Sequence, residues 1–432
     1  MLRPPAALAC VLALALAAPA AADDLNRPPI EYAKAPADNA VSRLQTRLAT
    51  GKAKLLFDDD HGYLKSVLAA LDVPESSQVL VFSKTSLQRD RISPRTPRAI
   101  YFNDDVYVGF CLRGEVLELS VADASLGTVF YTLDQEPDAR PRFTRQTDNC
   151  LACHASSLTR GVPGHLVRSV TVDRGGTPFL SAGSFRTDHT SPFSERWGGW
   201  YVTGTHGKMT HRGNGFAPSK KAADEGFDNA AGQNVTALKD HFTTAMYPTP
   251  HSDIVALMVL EHQTEMHNRI ARATIDVRSA LHYNAELNKS FGEPPTHRFD
   301  STDSRIRSAA DAVLKGLLFC EEAKLTDHVA GTTTFAKDFA ARGPKDARGR
   351  SLREFDLTAR LFQYPCSYLI YSEAFDRMPA EVRDLVLKRL LAVLTGRDTD
   401  KAFAHLTPDD RAAILAILRE TKPDLPAEWR EK

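Results

Sequence analysis

Two cysteines three positions apart, followed at once by a histidine, are the residues of this sequence best suited to chemistry. They are Cys150, Cys153 and His154, within the stretch TDNCLACHAS. Two intervening residues let one helical turn present both sulfurs to the vinyl groups of a haem, and the next residue offers an imidazole to the iron. The spacing therefore predicts covalently bound haem c, with Cys150 and Cys153 as the thioether cysteines and His154 as an axial iron ligand.

Two other uses of a Cys-x-x-Cys pair fit this sequence less well. A thioredoxin-like pair opens a helix directly after a buried strand, whereas the stretch PRFTRQTDN before Cys150 is polar and has no strand pattern. A structural zinc site needs a second close pair of ligands, and the sequence has no second Cys-x-x-Cys motif. Zinc bound by Cys150, Cys153 and a distant histidine stays open as an alternative.

The motif resembles the haem-attachment motif of the c-type cytochromes. The stretches VLVFSKTSLQ, RWGGWYVTGTHG and YPCSYLIYSEAF are in addition similar to those of large exported bacterial proteins with a single cytochrome c domain. The resemblance implies that Cys150 and Cys153 carry the haem and that His154 is the proximal ligand. The surroundings differ from the compact cytochrome c domain, because a long, strand-like stretch precedes the motif here.

The sixth iron ligand distinguishes an electron carrier from a haem enzyme, because two strong protein ligands favour electron transfer and an open position allows binding of small molecules. The stretch THGKMTHRGN offers His206, Met209 and His211 within a glycine-rich loop. We expect the sixth ligand to come from these three residues. A glycine-rich turn with exposed histidines is the alternative interpretation.

Two further possibilities for the sixth position remain at this stage. Met258, His262 and Met266 recur every four residues and so share one helix face, although such a stripe is more typical of a helix core. The position could also lack a protein ligand. In that case His165, Arg168 and His189 are candidates to act on bound peroxide, as general base and charge stabiliser. The alternative is that all three are ordinary surface or turn residues.

The N-terminal residues predict export. Arg3 precedes an apolar run over residues 6–18 and a small-residue site at 20–22, which is the arrangement of a secretory signal peptide. We therefore expect residues 1–22 to be removed and the mature chain to reside in the periplasm. No later stretch offers the roughly 20 apolar residues that a membrane span needs.

The net charge and the remaining cysteines limit the possible functions of the chain. The 54 basic and 54 acidic side chains give a formal net charge of +0, which argues against a nucleic-acid binder. Cys320 and Cys366 could form a disulfide in an oxidising compartment, and Cys111 is expected to be a buried thiol. Arginines flank the motif and could neutralise haem propionates, steer an acidic redox partner, or simply be solvated: Arg140, Arg142, Arg145 and Arg160.

The hydrophobic pattern predicts an α+β fold, in which an antiparallel, β-rich, haem-bearing N-terminal half precedes a mainly helical C-terminal half. From residue 78 to 133 short apolar runs alternate in period two between turn residues, which predicts an antiparallel meander. After about Ser252 the period becomes helical, with Ser252 as the expected N-cap of a long helix and Thr407 as that of the last helix. We divide the chain into a signal peptide (1–22), an arm with helices (23–77), a β-rich haem-binding region (78–245) and a helical region (246–432).

These features predict an exported, soluble, single-haem c-type cytochrome that transfers electrons to or from a periplasmic redox partner protein. The haem iron would then have His154 on one side and His206, Met209 or His211 on the other. The alternative is a periplasmic haem oxidoreductase or peroxidase-like enzyme with an open sixth iron position.

Overall fold

The computed structural model of the chain describes residues 24–430. The predicted signal peptide at residues 1–22 lies outside the described residues. The α+β class is confirmed, with a sheet-rich N-terminal half followed by a mainly helical C-terminal half. The strands are β1 (Val79–Val81), β2 (Arg98–Phe102), β3 (Val106–Phe110), β4 (Val116–Asp123), β5 (Gly127–Asp134), β6 (Thr144–Gln146), β7 (Arg168–Val170), β8 (Ser184–Arg186), β9 (Trp200–Tyr201), β10 (Gly204–Thr205) and β11 (Ala330–Gly331).

The helices enclose the sheet from both sides. Those of the N-terminal half are short, and the longest helix of the described chain opens the C-terminal half. Their bounds are α1 (Ala40–Ala49), α2 (Leu64–Ala70), α3 (Leu151–His154), α4 (Lys220–Glu225), α5 (Ile254–Phe291), α6 (Asp300–Leu317), α7 (Phe335–Ala341), α8 (Glu373–Asp376), α9 (Ala380–Leu394) and α10 (Pro408–Thr421).

A seven-stranded antiparallel sheet in the order β6-β5-β4-β3-β2-β1-β9 forms the centre of the molecule. The predicted meander is confirmed for β1 to β5, because their alternating apolar residues bury one face. The register sets Val108 beside Leu119, and both belong to the same apolar core as α1 and α2. The opposite face carries Tyr107, Ser120 and Phe130 side by side and faces α5 and the Cys-x-x-Cys-His motif.

The long helix α5 begins one residue later than predicted. The carboxylate of Asp253 caps it by accepting the backbone N–H groups of Val255 at 2.8 Å and Ala256 at 3.2 Å. Ser252, the expected cap, uses its hydroxyl instead to donate to the Tyr201 carbonyl at 2.6 Å and to accept from the Leu80 N–H at 2.9 Å. Its hydroxyl thus ties the start of α5 to β1 and β9.

The sheet and the helical half share apolar packing. Val79, Val81 and Phe102 of the sheet lie in one continuous core with α5, α6, α9 and α10. The predicted cap of the last helix is confirmed, because Thr407 accepts from the Asp410 N–H at 3.1 Å in a capping box. In residues 24–430 no helix combines the length and the apolarity needed to cross a membrane.

The cap of α5 gives a test of the fold. Asp253 is buried, and its second carboxylate oxygen also accepts from the N–H groups of Thr332 and Thr333 and from the Thr333 hydroxyl. Asp253→Ala should lower the free energy of unfolding by about 3 kcal/mol, because it strands buried donors at a helix start. Urea unfolding measures the loss. The exposed Asp240→Ala is the matched control, and equal stability of the two variants would contradict this role.

Candidate functional site

The motif forms one turn of helix. The backbone N–H of His154 donates to the Cys150 carbonyl at 2.9 Å, and that of Cys153 approaches the same carbonyl at 3.3 Å. Cys153 is exposed, Cys150 is half-buried, and both are free thiols. Both thiols and the imidazole therefore project from the same helical turn, which is the arrangement that attachment to one edge of a haem requires.

The imidazole of His154 is held in a defined tautomer. Its Nδ1 lies 2.9 Å from the carbonyl oxygen of Gly164, and a carbonyl can only accept, so Nδ1 carries the proton. Nε2 then keeps its lone pair, and no hydrogen bond among the described residues involves it. The ring also packs against Phe130, with 5.0 Å between centroids. An oriented imidazole with one free nitrogen is the form that binds a metal.

Helix α5 fixes the carbonyl that orients His154. The side chain of Asn268 accepts from the His165 N–H at 2.8 Å and donates to the His165 carbonyl at 2.8 Å. A Cβ atom on Gly164 would stand 2.4 Å from the Asn268 Oδ1. Glycine is therefore required at position 164, because the backbone passes directly against this side chain.

The expectation that no strand precedes the motif is wrong. β6 pairs with β5 immediately before it. As the outermost strand it is exposed or half-buried along its length, and this explains why its sequence lacks an apolar alternation. An exposed edge strand and a single helical turn still differ from the buried strand and longer helix of a thioredoxin-like site. Burial also raises the pKa of Cys150 to about 11, whereas redox Cys-x-x-Cys pairs have lowered thiol pKa values.

The loop with His206, Met209 and His211 leaves the sheet at its other edge. It follows β9 and β10, whereas the motif follows β6, and β6 and β9 are the two outermost strands. Six inter-strand steps of about 4.8 Å separate those strands by roughly 29 Å. No contact between the loop and His154 occurs among the described residues. The structure therefore does not bring the predicted sixth ligands close to the predicted proximal ligand.

Two members of the loop are already engaged. Nε2 of His206 accepts the backbone N–H of Asn234 at 3.0 Å, so its Nδ1 must carry the ring proton. The Met209 sulfur accepts from the Thr326 N–H at 3.4 Å. His211 lies between His206 and Trp197, with ring centroids 4.7 and 5.3 Å away. Each of the three side chains, His206, Met209 and His211, therefore contacts residues near its own loop.

The helical stripe of Met258, His262 and Met266 is core, as its alternative interpretation held. All three are buried. The His262 Nε2 lies 2.8 Å from the Ser367 hydroxyl, and its ring stacks on Phe319 at 4.0 Å. His262 therefore contacts Ser367 at the edge of its ring and Phe319 on its face, which is a structural role.

The interpretation of His165 and His189 as surface residues is wrong, because both are buried. Nδ1 of His165 lies 3.2 Å from the Ser120 hydroxyl, and the ring is 4.2 Å from that of Tyr107. Burial lowers the pKa of His165 well below its ordinary value, so this ring next to the motif is neutral. Arg168 is half-buried and donates to the Ser184 hydroxyl.

Two of the four arginines near the motif have structural partners. Arg145 donates to backbone carbonyls of Tyr32 and Ala35, and Arg160 pairs with the buried Glu265 on α5. Arg140 and Arg142 remain exposed. Arg196 donates to the buried Glu261 of α5 at 3.0 Å.

A buried polar stretch of α5 was not predicted from the sequence. The run EHQTEMHN, residues 261–268, places charged and amide groups on every side of a helix, and all of it is buried. Burial raises the pKa of Glu261 to about 7 despite its Arg196 partner. A polar run around a whole turn could have indicated the site, because an ordinary amphipathic helix confines such residues to one face.

The remaining cysteines carry no disulfide among the described residues. Cys111, Cys320 and Cys366 are buried free thiols, so the expected burial of Cys111 is confirmed. Burial raises the pKa of Cys320 and of Cys366 to about 12, which keeps both protonated and unreactive.

Comparisons of the chain with protein-family models, with curated proteins and with solved structures found no match.

The neutral histidines around α5 give a pH-dependent test. Burial lowers the pKa of His267 to about 4 from an ordinary value of 6.5, so the unfolded chain takes up a proton first as pH falls. The stability that this group contributes is complete above pH 6.5 and is lost toward pH 4. Between pH 7 and pH 5, the wild type should lose about 2 kcal/mol more than His267→Gln, whose amide can keep the bond to the Asp104 carbonyl.

Urea unfolding at the two pH values measures this difference. The exposed His282→Gln is the matched control, because its ring is solvated in both states. An identical pH dependence in the wild type and His267→Gln would show that His267 does not contribute to acid sensitivity.

Proposed function

We propose that this chain is an exported, single-haem c-type cytochrome that works in electron transfer. The single observation that carries the proposal is the His154 imidazole, whose Nδ1 is committed to the Gly164 carbonyl at 2.9 Å while Nε2 is free. Two free thiols, Cys150 and Cys153, leave the same helical turn. This donor set fits haem c better than zinc, because no further ligand lies near it among the groups of the described residues that could hold a metal ion.

Each residue has a defined task in this proposal. Bound haem would supply an iron that takes up and releases one electron. Cys150 and Cys153 would hold it covalently, and His154 would bind the iron. Gly164 keeps the ring oriented and raises its basicity through the Nδ1 hydrogen bond. Asn268 keeps Gly164 in place.

The proposal includes a periplasmic redox partner protein. Cys153 is exposed, so the attached edge of the haem would lie within reach of a docked protein. Arg140 and Arg142 are exposed just before the motif, and their charge would favour an acidic partner. The predicted export of the chain supports both the periplasmic location and covalent haem attachment.

A second function, a haem oxidoreductase with an open sixth position, is favoured by one specific observation. The expected sixth ligands lie on a loop at the far edge of the sheet, and His206 already uses Nε2 to accept from Asn234. The neutral, buried His165 beside the motif would then be a candidate base. An electron carrier would instead need a second strong protein ligand for the iron.

Removing the thiols tests haem attachment. Cys150→Ala/Cys153→Ala should abolish covalent haem, because the thioether bonds have no other sulfur within one helical turn. The measurement is haem staining of the chain on a denaturing gel, after expression in a host with haem-attachment machinery. Cys320→Ala, which changes a buried thiol elsewhere, should stain like the wild type. A stained double variant would overturn the proposal.

The visible spectrum of the reduced protein, with and without carbon monoxide, distinguishes the two functions. A low-spin spectrum that does not respond to the gas is expected for an electron carrier with two strong ligands. Met209→Leu and His211→Gln should leave this spectrum unchanged, because the structure places their loop at the other edge of the sheet. A variant spectrum that newly responds to the gas would instead assign the sixth ligand to that loop. A wild-type spectrum that shifts with carbon monoxide would instead support the oxidoreductase.

A further inference from the structure

A second group of metal-ligand side chains lies on the loop between α1 and α2. The stretch FDDDHG contains Asp58, Asp60 and His61, and one ligand atom from each lies within 4.8 Å of the others. The loop is closed by a pair of backbone hydrogen bonds, 2.9 and 2.8 Å, between Asp58 and Gly62. Gly62 has a φ of +61° and approaches Gln135 too closely to carry a side chain. The three side chains therefore project from a fixed turn.

His61 points to a missing partner in this group. It is only 8% exposed, and neither ring nitrogen makes a hydrogen bond. Its Nδ1 is 3.4 Å from the Asp58 Oδ1, and its ring is 6.1 Å from that of Phe110. A buried imidazole without a hydrogen bond is costly and calls for a ligand, ion or water to complete it.

The carboxylates have free oxygens to offer. Oδ1 of Asp58 accepts the N–H groups of Asp60 at 3.0 Å and His61 at 2.7 Å. No hydrogen bond within residues 24–430 occupies the Asp58 Oδ2 or the Asp60 carboxylate. Both acids therefore retain lone pairs and negative charge beside the imidazole.

We propose that Asp58, Asp60 and His61 bind one divalent transition-metal ion of the Zn²⁺ type. Neighbouring ligand atoms of a tetrahedral ion with bonds of about 2.1 Å lie about 3.4 Å apart, so small side-chain rotations close the observed spacing. The imidazole selects transition metals over Ca²⁺ and Mg²⁺, which prefer all-oxygen sites. Three protein ligands leave at least one position for water, and the two carboxylates neutralise the charge of the ion.

The bound ion would stabilise the segment that precedes the Cys-x-x-Cys-His motif. The residue after Gly62, Tyr63, receives the Asp138 N–H on its hydroxyl at 2.9 Å, and its own N–H donates to the Gln135 side chain at 3.2 Å. Gln135 and Asp138 belong to the segment that joins β5 to β6, and the motif follows β6. The ion would thus fix the turn against which that segment packs. The metal site itself does not depend on the proposed electron transfer.

Isothermal titration of the untagged mature chain with ZnCl₂ tests the proposal, after removal of metals with a chelator. We expect one saturable Zn²⁺ site, and a midpoint of thermal unfolding that rises with Zn²⁺. His61→Gln and Asp60→Asn should each weaken binding about tenfold or more. Asp59→Asn changes an exposed acid of the same loop and should leave the affinity within about twofold.

Binding to the cysteine motif must be separated from binding to this loop. Cys150→Ala/Cys153→Ala should keep the Zn²⁺ site if the loop is responsible, and loss of binding in that variant alone would assign the metal to the cysteines. The proposal is also overturned by unchanged affinity in His61→Gln, by absence of saturable Zn²⁺ binding in the wild type, or by preference for CaCl₂ over ZnCl₂.

Discussion

The structure depends on burying a polar turn of helix in the middle of the molecule. α5 lies between the sheet and the C-terminal helices, and residues 261–268 are buried although they are mostly charged, amide or imidazole groups. Such groups are costly without partners. Their partners come from segments that would otherwise have no reason to converge: Arg196 binds Glu261, Tyr107 and Asn103 accept from Gln263, and Arg160 binds Glu265.

The site inherits its geometry from that requirement. The side-chain amide of Asn268 forms two hydrogen bonds with the backbone of His165. These bonds hold the carbonyl of the preceding residue, Gly164, against the His154 ring. The motif therefore does not orient its own histidine. A residue on a distant helix does, through two hydrogen bonds and a glycine that permits the close approach. The same burial keeps neighbouring imidazoles neutral, because their pKa values are lowered by desolvation.

The sequence pattern predicts those features of the fold that depend on neighbouring residues. Alternation of apolar residues located β1 to β5 and their buried face, and helical period with capping residues located α5 and α10. It failed for β6, because an exposed edge strand needs no apolar residues, and for the N-cap of α5, because Ser252 and Asp253 are both good caps and only the β1–β9 contact decides between them. Burial of His165 and His189 depends on residues distant in sequence: His267 of α5 packs against His165, and His262 of α5 and Phe319 pack against His189. The three motif residues were identifiable from their spacing, whereas the polar groups that support them were not.

The separation in sequence between the motif and its support has a consequence for the order of events during folding. The contacts Arg160–Glu265 and His165–Asn268 join residues 105 and 103 positions apart. Ribosomes add residues from the N-terminus, so the cysteine turn is complete while the helix that will hold it has not been made. Closing so long a loop is also slow, because its entropy is lost before the contacts form. The two thiols therefore pass through a period in which both are accessible on an undocked segment, before the packing of α5 leaves Cys150 half-buried.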